Sequence, residues 1–354
     1  MSITIKDVAK RANVSIATVS RVLNNNNIVE ENTKKRVQEA IQELRYLPNN
    51  LGRSLSIKRT EAIGLILPDL FGEFFSEVIR GVDQTAQHHK YHLLVSSSHD
   101  DRKEIEAALQ MIRGRVDGLI IMSADIDVQT INKNLPKSLP IVLLNCQIDD
   151  ISYDSLNINN YYGAYQMVSH LISHGHKNIS IIKGPVNNHD AEERLRGYRQ
   201  ALKDGKVRID SELEYLGDFS EASGYDAAMA ILKKKTRPTA IFAANDSMAI
   251  GALSAVQEAC VHVPEEIALA GFDDIPIMQF VKPSLSSVRV SINELGVLAV
   301  NRLIQAIREK AKFIKQKILV PVEVIPRESC GCSKPPRIPF YRTISNQIEM
   351  STLQ

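Results

Sequence analysis

"TIKDVAKRANVSIATVSRVLN", residues 4–24, places small, hydroxylic and basic side chains where a protein core usually begins. Thr4 with Asp7 three residues on has the spacing of a capping box, after which Ile5, Val8, Ala9 and Ala12 recur at helical intervals. Asn13 suits a tight turn. Ser15 suits the N-cap of a second helix that turns Val19, Val22 and Leu23 inward. A third helix from about Asn32 to Arg45 offers Val37, Ala40, Ile41 and Leu44 on one face, and the three together have helix-turn-helix geometry. Ile16, Ala17, Thr18, Ser20 and Arg21 remain outside on the second helix. Small apolar groups there can meet thymine methyls and an arginine can grip guanine in a bidentate pair, so Ile16, Ala17 and Arg21 are expected to touch bases. Ser15, Thr18 and Ser20, with the helix N-terminus, are expected to hold phosphates, which position the protein without specifying sequence.

Charge supports this division of labour. Residues 1–60 carry eleven lysines and arginines against five acidic side chains, so a chain of net +2 has a head of +6 and a remainder of −4. A basic head on a slightly acidic body is the distribution expected when only the head meets a polyanion. With 44% hydrophobic and 24% charged residues among 354, the composition is that of an ordinary globular protein of two or three compact units. The first fifteen residues lack the apolar centre of a secretory signal, and apolar runs such as "LIIM" at 119–122 are too short to cross a bilayer. The expectation is a cytoplasmic protein with no membrane contact. Cys146, Cys260, Cys330 and Cys332 are too few and scattered for a disulfide framework and are expected to be reduced thiols.

Residues 48–60 read as a linker after a head of residues 1–47: Pro48 stops the third helix, and Asn49 can cap a short new one carrying Leu51, Ser54 and Leu55. From residue 61 the texture becomes short apolar runs alternating with helical patterns. Candidate strands lie at 62–67, 91–96, 116–122 and 140–145, then at 178–183, 213–217, 239–244 and 267–272. Near-continuous apolar strands separated by helices imply parallel sheets covered on both faces, and two series imply two doubly wound subdomains. The helices include one with Val78, Ile79, Val82 and Ala86 inward and another with Ala249, Ile250, Leu253 and Val256. Ligands of such sheets bind beyond the carboxyl ends of strands. The polar and aromatic residues there include Asp69, Phe75, Asn145, Asn188, Asp190, Arg194, Phe219, Asn245, Asp246 and Asp273. Asp246 fits a cap of the helix that follows as well as a ligand contact.

The head motif, then "TKKRVQEAIQELRYLPN" (33–49) and "GRSLSIKRTEAIGLILPD" (52–69), closely resemble the LacI/GalR family of bacterial transcription regulators. The resemblance runs on through "VDGLII", "RLRGYRQAL", "FAANDSMAIGAL", "GFDDIPIMQFVKPSLSSV" and "IPRESC", over about residues 3–330. It implies an α/β protein: a three-helix head and hinge helix followed by two subdomains of periplasmic-binding-protein type. Its body would run over 61–330, with an N-subdomain of about 61–160 and 290–322 and a C-subdomain of about 161–289 and 323–330. Residues 331–354 receive no role. The resemblance also implies that the hinge enters the minor groove, with Leu55 as an apolar wedge and Arg53 as its basic neighbour. Gly52 departs from the alanine usual there, which costs about 1 kcal/mol of helix propensity. In the family the arginine and aspartate matching Arg194 and Asp273 hold the effector, and Phe75 and Phe219 match aromatic pocket positions. Purine-binding members have a second arginine where this chain has Asn188. Asn188, Asp190, Arg194 and Asp273 look instead like partners for hydroxyl groups, so a sugar or sugar derivative is expected, with a nucleoside-type effector or a protein partner as alternatives.

The expected function is an effector-modulated repressor that reads a palindromic operator in double-stranded DNA as a homodimer. No G-x-G-x-x-G after a strand, no P-loop and no G-x-S-x-G elbow is present, so no enzyme activity and no cofactor are assigned. His170 and His174 stand one helical turn apart with His176 nearby, but no cysteine or carboxylate ligand lies close in sequence and a lone C-x-C is not a zinc spacing. No metal is assigned. After Cys332, Ile344, Ile348 and Met350 do not form the leucine heptads of a coiled-coil tetramer.

Overall fold

A computed structural model describes residues 3–23, 29–46, 59–99, 101–124, 126–146, 148, 150 and 152–332. Asn49, Arg53 and Leu55, and the segment after Cys332, lie outside the described residues. The chain divides into two compact units between Thr60 and Glu61.

The first unit contains α1 (Ile5–Ala12), α2 (Ile16–Leu23) and α3 (Glu31–Glu43). Asp7 accepts hydrogen bonds from the Thr4 backbone N–H at 2.8 Å and its hydroxyl at 2.7 Å, which starts α1 and holds the carboxyl below its usual range. Val8, Ala9, Ala12, Val19, Val22, Val37 and Ala40 form the small core, closed by Tyr46 and edged by Ile5, Leu23, Ile41 and Leu44. Apart from Tyr46, these are the inward residues that helical spacing marks.

The second unit holds two six-stranded sheets. The first contains β1 (Ala62–Leu67), β2 (His92–Ser97), β3 (Gly118–Met122), β4 (Ile141–Leu144), β5 (Asp154–Ile158) and β11 (Lys317–Val320), in the order β11-β5-β4-β3-β1-β2, all parallel. The second contains β6 (Ile179–Lys183), β7 (Glu214–Leu216), β8 (Ala240–Ala243), β9 (Ala268–Asp273), β10 (Ser286–Val290) and β12 (Val322–Ile325), in the order β12-β10-β9-β8-β6-β7. The eight expected strands are present with ends shifted by one or two residues. Four others had no legible signal: β5 is "DSLNI", β10 is "SSVRV", and β11 and β12 are four-residue edge strands. The eight expected strands pair in parallel, and the unexpected edge strand β12 runs antiparallel to β10. A strand added at the edge by a short return needs no helical crossover.

The chain passes between the sheets three times: from β5 into α7 (Asn160–Ser173), from β10 into α11 (Ile292–Glu309), and from β11 to β12 across Pro321. Helix α11 therefore covers the first sheet beside α4 (Glu73–His88), while α7 covers the second beside α8 (His189–Asp204). In α4, Val78, Val82 and Ala86 are buried and Ile79 is half-buried, as the helical pattern requires. Where α8 crosses α7, a Cβ at Gly197 would stand 2.2 Å from the Tyr161 carbonyl. Only glycine permits this approach, which brings Arg194, one turn earlier, against the start of α7.

Candidate functional site

In the head, Ser15 caps α2: its hydroxyl accepts from the Thr18 backbone N–H at 3.1 Å and is hydrogen-bonded to the Thr18 hydroxyl at 2.9 Å. Ser15, Ile16, Ala17 and Arg21 are exposed, Thr18 and Ser20 half-buried, and Val19 and Val22 buried beneath them. Ile16 is 44% exposed, a large apolar side chain presented outward from the first helical position. Asn13 makes the turn with φ 52°, in the left-handed region that asparagine tolerates. Sequence reasoning missed Arg36. From α3 its guanidinium donates to the Ala12 and Asn13 carbonyls at 2.7 and 3.1 Å, satisfying acceptors that the end of α1 leaves open. It thereby fixes the turn that aims α2, and an exposed Arg11–Glu43 pair at 2.6 Å ties α1 to α3 beside it.

The second candidate site is a buried polar chain running between the sheets. Asn145, just after β4, donates to Asp190 at 3.2 Å, and Asn160 at the start of α7 donates to the other Asp190 oxygen at 2.8 Å. Arg194 donates to the Asn160 side-chain oxygen at 2.8 Å, to the Ala244 carbonyl at 2.5 Å and to Asp273 at 3.1 Å, while its guanidinium lies 3.8 Å from the Phe272 ring centre. Arg194 and Asp273 are 4% and 6% exposed, so this pair sits in a weakly screening environment. Desolvation pushes the Asp190 carboxyl up against the opposing charge of Arg194. Burial likewise pushes Asp273 up to about 6, with Arg194 pulling it down and Asp190 pushing it up. Two carboxylates around one guanidinium leave acceptor capacity in excess.

The backbone around this chain is strained. Asn145 (φ 45°), Phe219 (φ 72°), Asp273 (φ 109°) and Asp274 (φ 54°) all lie in the left-handed region at or just past strand ends. Such conformations persist in non-glycine residues only where the surroundings impose them, and they cluster at ligand sites.

The remaining expected residues have measurable partners. Asn188 caps α8, accepting from the Ala191 N–H at 3.0 Å. Asn245 caps α10 (Asp246–Glu258), accepting from the Met248 N–H at 3.0 Å and donating to the Phe219 carbonyl at 2.9 Å. The cap thus falls on Asn245 and not on Asp246, whose fully buried carboxylate accepts from the Ser287 hydroxyl at 2.6 Å and the Ile275 N–H at 2.8 Å. Asp69 folds onto its own loop, accepting from Leu70 and Phe71 N–H groups at 2.6 and 3.1 Å. Phe75 packs edge-on to Phe74 with ring centres 5.3 Å apart, and Phe219 packs over Gly184, 5.9 Å from the Arg194 guanidinium. The Ile277 N–H donates to Glu73, at the start of α4, at 3.2 Å. A cavity of about 390 Å³ reaches this region from the crossover side, lined by Asn145, Asn160, Asp190, His189, Glu193 and Lys317 among others. It meets the chain at Asn145, Asp190 and Asn160 rather than at the Arg194–Asp273 pair. Sequence reasoning missed Asn160 because the strand that delivers it, β5, was itself illegible. It also missed the buried pairs of Asp274 with Arg289 at 2.7 Å and Arg327 at 2.6 Å, which brace the loop after β9.

A helix-turn-helix head followed by a two-sheet body with a polar interlobe site defines a ligand-responsive, DNA-binding transcription regulator. Residues 4–49 match bacterial regulatory proteins of the lacI family, and residues 168–330 match the periplasmic binding protein-like domain. The chain is 33% identical to the ribose operon repressor of Haemophilus influenzae over 92% of its own length and 98% of that protein. It is 36% identical to the transcriptional repressor PurR of Pasteurella multocida over 87% and 93%. Among solved structures, the lac repressor dimer bound to operator and the anti-inducer ONPF superposes with a TM-score of 0.79 at 29% identity, covering 93% of this chain and 99% of that one. The chain belongs to the lacI family of bacterial regulatory proteins. Among the described residues no helix is long and apolar enough to cross a membrane.

Proposed function

We propose that the protein represses transcription as a homodimer on a palindromic operator, and that a sugar or sugar derivative bound between the lobes at Arg194 and Asp273 sets its DNA affinity. The observation that carries the effector reading is the buried chain Asn145–Asp190–Asn160–Arg194–Asp273, which links groups of the two sheets through one guanidinium. Polyol hydroxyls donate and accept at once, so they can take the acceptor capacity that the two carboxylates leave over and replace interlobe bonds one for one. A ligand that binds one lobe arrangement better than the other shifts the equilibrium by that difference, and about 1 to 3 kcal/mol of coupling is typical. Dimerisation is supported by the edge strand β2, whose Leu94 and Val95 are 41% and 39% exposed on a sheet with unpaired backbone groups. Ile16, Ala17 and Arg21 read bases, Ser15, Thr18 and Ser20 hold phosphates, and Asn49, Arg53 and Leu55, outside the described residues, contact DNA in the minor groove.

The test is selection of bound sequences from a random duplex pool by the full-length protein, alone and with separate panels of sugars and nucleosides. Enrichment of a palindrome that a sugar strengthens or abolishes is the expected result. A palindrome that answers only to nucleosides would replace the effector class, and the absence of any enriched sequence would overturn the operator reading.

A further inference from the structure

The last turn of helix α7 carries His170, and His174 is its C-terminal cap residue. The fold brings the far end of the described chain onto these two imidazoles. After β12 the chain makes a single 3-10 turn, Glu328–Cys330, capped by Gly331 at φ 81°. This glycine, in a conformation side chains resist, turns the backbone so that Cys330 and Cys332 present their sulfurs to the same place. The His170 Nε2 lies 3.4 Å from the Cys330 sulfur and 3.7 Å from the Cys332 sulfur, and the His174 Nε2 lies 3.5 Å from the Cys332 sulfur. The ligand atoms of His170, Cys330 and Cys332 all fall within 4.8 Å of one another, the only such group of three or more among the described residues.

These spacings fit a tetrahedral metal site. A tetrahedral zinc ion with bonds of about 2.3 Å to sulfur and about 2.0–2.1 Å to nitrogen separates a sulfur and a nitrogen ligand by about 3.6 Å. The three sulfur–nitrogen distances bracket that edge. We propose that His170, His174, Cys330 and Cys332 form a site for one thiophilic divalent cation of the zinc class. His170, Cys330 and Cys332 make three corners, and rotation of the exposed His174 ring about its side-chain bonds supplies the fourth. Two imidazoles and two thiolates are the donor set of structural zinc, and thiolates select soft or borderline cations over magnesium and calcium. His176 lies outside this group of clustered ligand atoms, and its Nδ1 is hydrogen-bonded to the Thr239 hydroxyl at 3.0 Å. Cys146 is also apart, buried with its thiol on the Ile121 and Leu144 carbonyls, and Cys260 is an exposed thiol elsewhere. Binding would pin the end of the second subdomain to α7, the helix that begins at Asn160 of the polar chain.

Full-length protein, reduced and freed of metal by a chelator that is then removed, is titrated with cobalt(II) as an optical probe and with zinc(II) in competition. One cobalt per chain with intense tetrahedral ligand-field bands and thiolate charge transfer, displaced by zinc, is expected. Zinc should protect two thiols from alkylation, identified by mass spectrometry as Cys330 and Cys332. His174→Ala and Cys332→Ser alter accessible side chains and leave the core intact, so their folding is checked by circular dichroism. Each should weaken binding by more than the roughly 10- to 100-fold typical of outer-shell changes at metal sites. A Cys146→Ser/Cys260→Ser protein should bind as the parent does. Octahedral cobalt spectra, affinity retained in the folded Cys332→Ser variant, or zinc protection of Cys146 or Cys260 instead would each overturn the site. None of these readouts depends on operator or effector.

Discussion

Replacing Asp273 by asparagine separates what the effector site does for binding from what it costs in stability. The Asp273 carboxyl titrates at about 6 in the folded protein because burial outweighs the Arg194 charge, whereas in the unfolded chain it titrates near the ordinary carboxylate value. Between these values the folded state holds a proton that the unfolded state has lost. This group's contribution is therefore greatest below about pH 4 and falls as pH rises through 6, with about 3 kcal/mol at stake by pH 7. Asparagine is neutral at every pH and keeps an oxygen for Arg194, now 3.1 Å from the carboxylate, while Asn160 and Ala244 still hold that guanidinium. Loss of the ion pair returns part of the gain, so Asp273→Asn should stabilise the ligand-free body by about 1 to 3 kcal/mol at pH 7 and flatten its pH dependence between 4 and 6. The same change removes a charged acceptor from the effector, which should weaken effector binding by about 1.5 to 3 kcal/mol, roughly 10- to 150-fold. Urea unfolding of both proteins at a series of pH values and calorimetric titration with effector check the two halves. A variant less stable than the parent at pH 7 would refute the reasoning, because the ion pair with Arg194 would then outweigh the carboxylate's burial.

Arg21→Ala should relax preference at one operator position and cost about 1 to 3 kcal/mol, measured by competition with single-base operator variants. Leu55→Ala should weaken operator binding and reduce the DNA bend seen by gel mobility with permuted sites; a bend of parental size would remove Leu55 as a wedge. Arg36→Met leaves the Ala12 and Asn13 carbonyls without their donor and should destabilise the head by about 1 to 3 kcal/mol, read from hydrogen exchange of α1 and α2 amides. Exchange unchanged from the parent would show that the turn does not depend on it.

Local pattern was legible in the sequence because it depends on neighbours along the chain. The head's inward faces followed from helical spacing over residues 5–44, the cap at Ser15 from its side chain, and eight strands from apolar runs buried on both faces. Arg194 and Asp273 were singled out by resemblance and by their place after strands, and the fold sets them 3.1 Å apart. What tertiary structure alone decided are the contacts between residues far apart in sequence: Arg36 on the carbonyls ending α1, Asn160 between Asp190 and Arg194, Arg327 on Asp274, and Cys330 and Cys332 on His170 and His174. Short polar strands such as β5 and β10 were hidden for the same reason. Their place in a sheet is set by the ladder offered by strands already there, and hydrogen bonds to a neighbouring strand leave no periodic trace in the sequence that receives them.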